Sequence, residues 1–371
     1  MPIIPTRFSS HGADLGNLNE RVISATHPDT ALTVLFSTTQ GDLPQREAAL
    51  RASLRGPVLA CTTAGEIGPR GFQESSVVGV SLRGDLDVAL FPIPDLHNIR
   101  HTTASALAAP IRRHITQRAA GWSSFGIVLI DGLSGAEERL MAALSAAVPE
   151  LSLVGASAGD ALEFTRTGVW WDGAFREDMA VLAVINTPQP WATIKTQHIH
   201  PTETLLVITE ADSTRRTVLE IDAEPAAVAY ARAVGVSVDQ LGPQVFSQHP
   251  LVLLVGGERY IRSIQRAEPD GSLVLYCAIE EGLVLALGRG GDLVAELAES
   301  LNTAITEIGP EPVVLGFDCI LRRLEVQARG LTRDVGDLFA RSEVVGFHTY
   351  GEQHGSLHIN QTFTGIVVGT R

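Results

Sequence analysis

Continuous apolar runs bounded by polar turns recur along this chain, and they fall in a repeated order. Ala31 to Ser37 is one such run, the pattern of a strand buried on both faces. Pro44 to Arg55 reads as a helix with proline in its first turn. Val58 to Thr62 is the next strand. It delivers a loop, Cys61-Thr62-Thr63-Ala64-Gly65-Glu66, and Ser76 to Leu82 follows as a third strand. The same order returns with Val128-Leu129-Ile130-Asp131, a helix from Gly135 to Ala147, a strand over Leu151 to Ala156, the loop Ala156-Ser157-Ala158-Gly159-Asp160, and a strand over Met179 to Ile185. Both Val34 to Val128 and Gly65 to Gly159 are 94 positions apart, a shared offset that argues for duplication. A third copy runs from Val313 to Phe317 through a helix to Val344–Phe347, the loop around Gly351-Glu352, and Phe363 to Val368. Each loop glycine is preceded two positions earlier by a hydroxyl (Thr63, Ser157, Thr349) and followed by a carboxylate (Glu66, Asp160, Glu352).

Between the second and third copies the pattern shifts to short strands separated by turns such as Gly256-Gly257 and Pro269-Asp270-Gly271, which read as an antiparallel sheet. The fold class is therefore α/β: mixed sheets built from duplicated strand-helix-strand-loop-strand units, in two domains. The boundary is placed within 188 to 222, giving domains of 27–222 and 223–368. Residues 1–27 read as a peripheral arm. Arg83-Gly84-Asp85 reads as a hairpin turn, and Asp292 and Asp318 as helix N-caps.

Charge narrows the function classes. The formal net charge is −14 and no basic run tracks a phosphate backbone, which argues against nucleic acid as a partner. No stretch offers about 18 uncharged apolar residues, so no membrane span is expected, and the N-terminus lacks the apolar core of a signal peptide. The three cysteines, Cys61, Cys277 and Cys319, suit packing better than a disulfide or zinc framework. The cytoplasm is the expected address.

Candidate chemistry centres on the three loops. The ligand-facing set is Glu66, Asp160, Arg323, Thr349, Tyr350, Glu352, Gln353 and Asn360; the competing reading is that these polar groups cap the chain's own backbone. Glu352 with an arginine, Arg322 or Arg323, would suit an amino-acid zwitterion. His198, at a strand end where two regions meet, is the candidate metal ligand. His200, two positions on, would share its face if both lie in a strand. His348, His354 and His358 crowd the third loop as a further metal candidate. No nucleophile-with-base pattern appears, so the chain is read as a non-enzyme, an enzyme using the loop carboxylates as acid or base being the alternative.

Gly316-Phe317-Asp318-Cys319-Ile320-Leu321-Arg322-Arg323, Gly346-Phe347-His348-Thr349-Tyr350-Gly351-Glu352-Gln353 and His358-Ile359-Asn360-Gln361-Thr362-Phe363-Thr364-Gly365 resemble the signature of the FIST sensory family, as does Cys61-Thr62-Thr63-Ala64-Gly65-Glu66-Ile67 its N-terminal half. The resemblance spans roughly 27 to 368. It implies small-ligand sensing in signal transduction, with amino acids as suggested ligands. Thr196-Gln197-His198, Val207 to Asp212 and Glu220 to Ala226 further resemble the stand-alone members that include the nitric-oxide-sensing haem proteins called NosP. That narrower resemblance implies haem b as cofactor, a histidine as axial ligand, and a sensor histidine kinase or cyclic-di-GMP enzyme as partner.

Overall fold

The structure, a computed structural model, describes the whole chain, the side chains of His101 and Ala104 excepted. Unit one comprises β1 (Ile4–His11), α1 (Leu15–Ala25), β2 (Leu32–Thr38), α2 (Leu43–Ser53), β3 (Val58–Thr63), a short hairpin of β4 (Glu66–Gly68) and β5 (Gly71–Gln73), and β6 (Ser76–Arg83). Unit two repeats it as β7 (Asp87–Pro94), α3 (His101–Thr116), β8 (Ser123–Ile130), α4 (Glu137–Ala147), β9 (Ser152–Ser157), the hairpin β10 (Val169–Trp171) and β11 (Ala174–Arg176), and β12 (Met179–Thr187). Unit three opens with β13 (Trp191–Thr196) and is at once interrupted by a lobe. The lobe holds β14 (Ile199–Asp212), β15 (Thr217–Ile221), β16 (Glu224–Pro225), α5 (Ala226–Val234), α6 (Pro243–Gln248), β17 (Leu251–Val255), β18 (Glu258–Arg262), β19 (Ile264–Ala267), β20 (Leu273–Leu275) and β21 (Val284–Gly290). The unit resumes with α7 (Leu293–Ile308), β22 (Val313–Cys319), α8 (Ile320–Ala328), α9 (Thr332–Arg341), β23 (Val344–Thr349), the hairpin β24 (Glu352–His354) and β25 (Leu357–Ile359), and β26 (Phe363–Val368).

The fold is thus mixed α/β, and its three units share one strand order: β1-β6-β2-β3, β7-β12-β8-β9 and β13-β26-β22-β23. Only the pairs β2/β3, β8/β9 and β22/β23 are parallel within these orders. Each hairpin leaves its own unit. β10–β11 extends unit one beyond β3, β24–β25 extends unit two beyond β9, and β4–β5 extends unit three beyond β23. The exchange is cyclic, so every unit both gives and receives a hairpin.

The three sheets face one another across a common core that includes Phe36, Leu129, Val181, Phe317 and Phe347. Phe36 lies against Phe347 with ring centroids 4.6 Å apart and meets Phe317 edge-on at 6.2 Å. The outer faces are covered by helices over separate cores, for instance Leu140 and Leu144 on α4 and Leu297 and Leu301 on α7. With both faces covered, β2 buries all seven residues, which is why it reads as an unbroken apolar run.

Several expectations are corrected. Residues 1–27 are no peripheral arm: β1 pairs with β6 over its full length and α1 buries Leu18 and Val22. β6 and β7 form no hairpin, because each has an in-sheet partner elsewhere, β6 between β1 and β2 and β7 on β12. Asp292 does cap α7, accepting from the Ala295 amide. Asp318 does not cap α8: its carboxylate is taken by Arg322. Within the lobe, β15 and β16 pair with each other.

Candidate functional site

The three glycine loops converge at the C-terminal ends of β3, β9 and β23, the end at which open α/β sheets bind ligands. They are bonded into a ring through their backbones. Ala64 N–H donates to His348 O at 3.0 Å and His348 N–H to Gly65 O at 2.7 Å. Tyr350 N–H donates to Ser157 O at 3.2 Å, Ser157 N–H to Gly351 O at 2.8 Å, and Gly159 N–H to Thr62 O at 3.0 Å. The glycines permit this closeness: a Cβ at Gly65 would collide with the Arg323 guanidinium, and one at Gly351 with the His358 ring.

Two of the loop carboxylates serve their own hairpins. Glu66 accepts from the Thr63 hydroxyl and, through its other oxygen, from the Ser76 amide at 3.0 Å and hydroxyl at 2.7 Å. Glu352 repeats this with Thr349 and with the Thr362 amide (3.2 Å) and hydroxyl (2.7 Å). Both are fully buried. Burial raises Glu66 to about 7 and Glu352 to about 8, the hydroxyl and amide donors offsetting part of the cost. Thr349 and Glu352 are therefore committed to each other and do not face a cleft.

Asp160 holds a different structure. Where the other loops enter their hairpins at once, residues 160–168 form a strap before β10. Asp160 accepts from the amides of Phe164 (3.0 Å), Thr165 (2.7 Å) and Arg166 (2.9 Å), and from the Tyr350 hydroxyl. That hydroxyl also receives the Leu162 amide at 2.7 Å. Ala161, Leu162 and Phe164 all have positive φ (58°, 68° and 50°), an unusual run for residues other than glycine. The Phe164 ring stacks on Tyr350 with centroids 5.0 Å apart.

A cleft of about 310 Å³ opens beside this ring, bounded by all three units: Gln40, Gly65 and Glu74 from the first, Leu162 from the second, Arg323 and Gln327 from the third. Arg323 reaches across it, donating to Ala64 O at 2.8 Å and pairing with the exposed Glu74 carboxylate. Of the residues expected to face a ligand, Arg323 alone lines this cleft; Tyr350 lines a second cleft of about 310 Å³ against the lobe, with Phe164, Arg216 and Tyr276. Glu74 was missed, yet it stands eight positions after Glu66 as Asn360 stands eight after Glu352, in an alignment of 66–77 with 352–363 that needs no gap. Gln353 and Asn360 lie in a buried cluster around Gly351. The Gln353 amide bonds Ser157 Oγ at 3.2 Å and His358 Nδ1 at 3.1 Å, while both Asn360 amide atoms and His358 Nε2 have no protein partner, the circumstance in which buried water completes a site.

His198 sits in a buried ionic chain. Arg322 Nη1–H donates to His198 Nδ1 at 2.9 Å, so Nε2 carries the proton and donates to Glu325 at 2.7 Å. Arg322 also bonds Asp318 at 2.7 Å, Asp318 faces His348 Nδ1 at 3.4 Å, and Glu325 receives Arg329 at 2.8 Å. Burial holds His198 and His348 below the usual histidine range. Burial opposes ionisation of Asp318 and Glu325 too, but Arg322 and His348 around Asp318, and His198 and Arg329 around Glu325, hold both below the ordinary carboxylate range. In this arrangement the residues at His198 do not fit a haem: neither ring nitrogen has a free lone pair and neither cleft reaches the ring. His200 shares no face with it, being exposed while His198 is fully buried. Among the described residues no group of three His, Cys, Asp or Glu side chains is placed to hold a metal, which sets aside the His348, His354 and His358 cluster.

The body is a threefold α/β fold with a polar cleft at its strand ends. A family model described as the FIST N domain matches residues 31–224, and one described as the FIST C domain matches 226–354. The chain belongs to the FIST family, whose domains are sensory small-ligand-binding modules. No curated protein matches it. Among solved structures, PurLQS from Thermotoga maritima is 9% identical, covering 100% of this chain and 72% of that one with a TM-score of 0.18. PurL of T. maritima complexed with FGAR is 8% identical over 99% and 72%, also with a TM-score of 0.18. At such scores the likeness carries no argument.

Proposed function

We propose that the chain senses a small zwitterionic metabolite, of the amino-acid class, in the three-unit cleft and signals through a partner protein. One observation carries the reading: a guanidinium, Arg323, and an exposed carboxylate, Glu74, pair with each other in a polar cleft where all three units meet. A ligand carboxylate would take the guanidinium in a bidentate pair, and its ammonium would take Glu74. Arg323 thus keeps the role expected of it, and Glu74 replaces Glu352 as the acidic partner. Ligand entry breaks the Arg323–Glu74 pair and so loosens a bridge between units three and one.

Titration calorimetry with free α-amino acids tests this. A binding amino acid is expected to lose about 10- to 100-fold in affinity on Arg323→Ala, in line with a charge-assisted pair of about 1.5–3 kcal/mol. N-acetylation of that amino acid should weaken binding as well, because it removes the charge offered to Glu74. Arg333→Ala, a change at a fully exposed arginine, is the control. Equal losses at both arginines, or none, overturn the proposal. The resemblance to the haem proteins suggests a kinase or cyclic-di-GMP enzyme as the partner. A haem-binding reading would require His198 to leave both Arg322 and Glu325, and a Soret band abolished by His198→Ala would support it.

A further inference from the structure

We infer that the outer face of the lobe's sheet is a docking surface for a basic amphipathic helix of another protein. α5 and α6 cover one face of this sheet, with Tyr230 and Phe246 packed on Leu206, Leu251 and Leu285. The opposite face begins as a small buried cluster of Ile199, Val252, Ile261 and Ala286. It then runs out into solvent without losing its apolar character. Val207 pairs with Val284 across β14 and β21, and Leu205 with Ala286. Val252 pairs with Ala286 across β17 and β21, so continuing that register by two residues sets Leu254 beside Val284. Leu205, Leu254 and Val284 are 60%, 52% and 49% exposed. Three neighbouring strands therefore present one contiguous apolar row, which soluble surfaces seldom leave bare without use.

The row and its rim select the occupant. Strands about 4.8 Å apart make it roughly 10 Å wide, the width of one helix. Its exposed neighbours include carboxylates: Glu203 before Leu205, and Glu280 and Glu281 before Val284. Arg259, which stands opposite Leu254 on the same face, is engaged by Ile199 O and His200. A second copy of this chain would meet the row through a two-fold contact, setting acidic rim against acidic rim. A helix with an apolar stripe flanked by Lys or Arg meets both features. The inference rests on the sensor reading only for its purpose, as the route of output; the surface stands apart from the cleft.

The probe is a synthetic helix with leucine along one face and lysine along the other, added to the full chain and followed by fluorescence anisotropy. A second helix replaces every lysine by glutamate. The lysine helix is expected to bind and the glutamate helix to fail. Leu254→Asp with Val284→Asp should weaken the lysine helix at least tenfold, although both changes add negative charge. Val228→Asp, at an exposed position on α5, should not weaken it, and neither should Arg323→Ala, so failure here is separable from failure of the cleft reading. Unchanged or tighter binding by the double variant would mean charge attraction alone and overturns the inference. So would a wild-type dimer in light scattering that the double variant abolishes, since the occupant would then be a second copy.

Discussion

The Glu66 and Glu352 loops and the Asp160 loop begin as the same motif and end as different devices. In the first two, the carboxylate reaches forward ten residues and fixes the start of the next strand, Ser76 or Thr362. In the third, a shorter side chain is spent within six residues, on the amides of a strap. The chain between the acid and the next long strand is one short hairpin in units one and three, but a strap plus a hairpin in unit two. One local pattern can therefore hold a framework or a cover, depending on the length of chain between it and the next strand. Framework acids are sealed from water, whereas the strap exposes Glu163, Thr165 and Arg166.

The largest effect should separate these roles. Glu352→Ala strands the Thr349 and Thr362 donors inside the protein and is expected to cost about 3 kcal/mol in urea unfolding. Asp160→Ala should cost less, about 1–2 kcal/mol, because the freed amides can turn to water. Its signature should be faster proteolysis between 161 and 166 at unchanged global cooperativity.

A pH series sharpens the comparison. Glu66 and Glu352 have folded pKa values of about 7 and about 8, above the ordinary value of 4.5. Between roughly pH 4.5 and 8 the folded chain thus keeps protons that the unfolded chain has released, so these groups remove stability as pH rises. Below pH 6.5 the depressed His198 and His348 work the other way, adding stability as pH rises toward that value. The decline should therefore show in urea midpoints between pH 6.5 and 8.5. Glu66→Gln with Glu352→Gln should flatten it.

The smallest effect concerns the strap's backbone. Ala161 has φ 58°, which costs an ordinary residue about 1–2 kcal/mol. Ala161→Gly should return about 0.5 kcal/mol after the glycine's extra unfolded-state entropy is counted, measured by thermal unfolding.

The repeats were legible because each unit's strands and helices are set by local apolar runs such as Ala31 to Ser37 and Val344 to Phe347. The hairpin exchange was not. Three-residue strands like β4 and β24 carry too little pattern to announce a partner more than a hundred residues away. The Asp318 error has the same root, for an aspartate before a helix looks like a cap whether or not Arg322 claims it. His198 was noticed, but its partner Glu325 lies 127 positions on, and charge pairing at that range leaves no spacing to read. The second hydrogen bond of each framework acid was within reach: Thr63, Glu66 and Ser76 stand at the same intervals as Thr349, Glu352 and Thr362.

The cyclic exchange of hairpins also governs how the molecule comes off the ribosome. β4–β5 is made early, but its docking strand, β23, is Val344–Thr349, two units further along the chain. Until then unit one has a hairpin with nowhere to go, and Glu66 and Ile67 lack their partners Phe347 and Gly346. A nascent chain stalled before residue 344 should therefore be a chaperone client rather than a half-built sensor. Closing the ring waits for the third unit and commits all three units together.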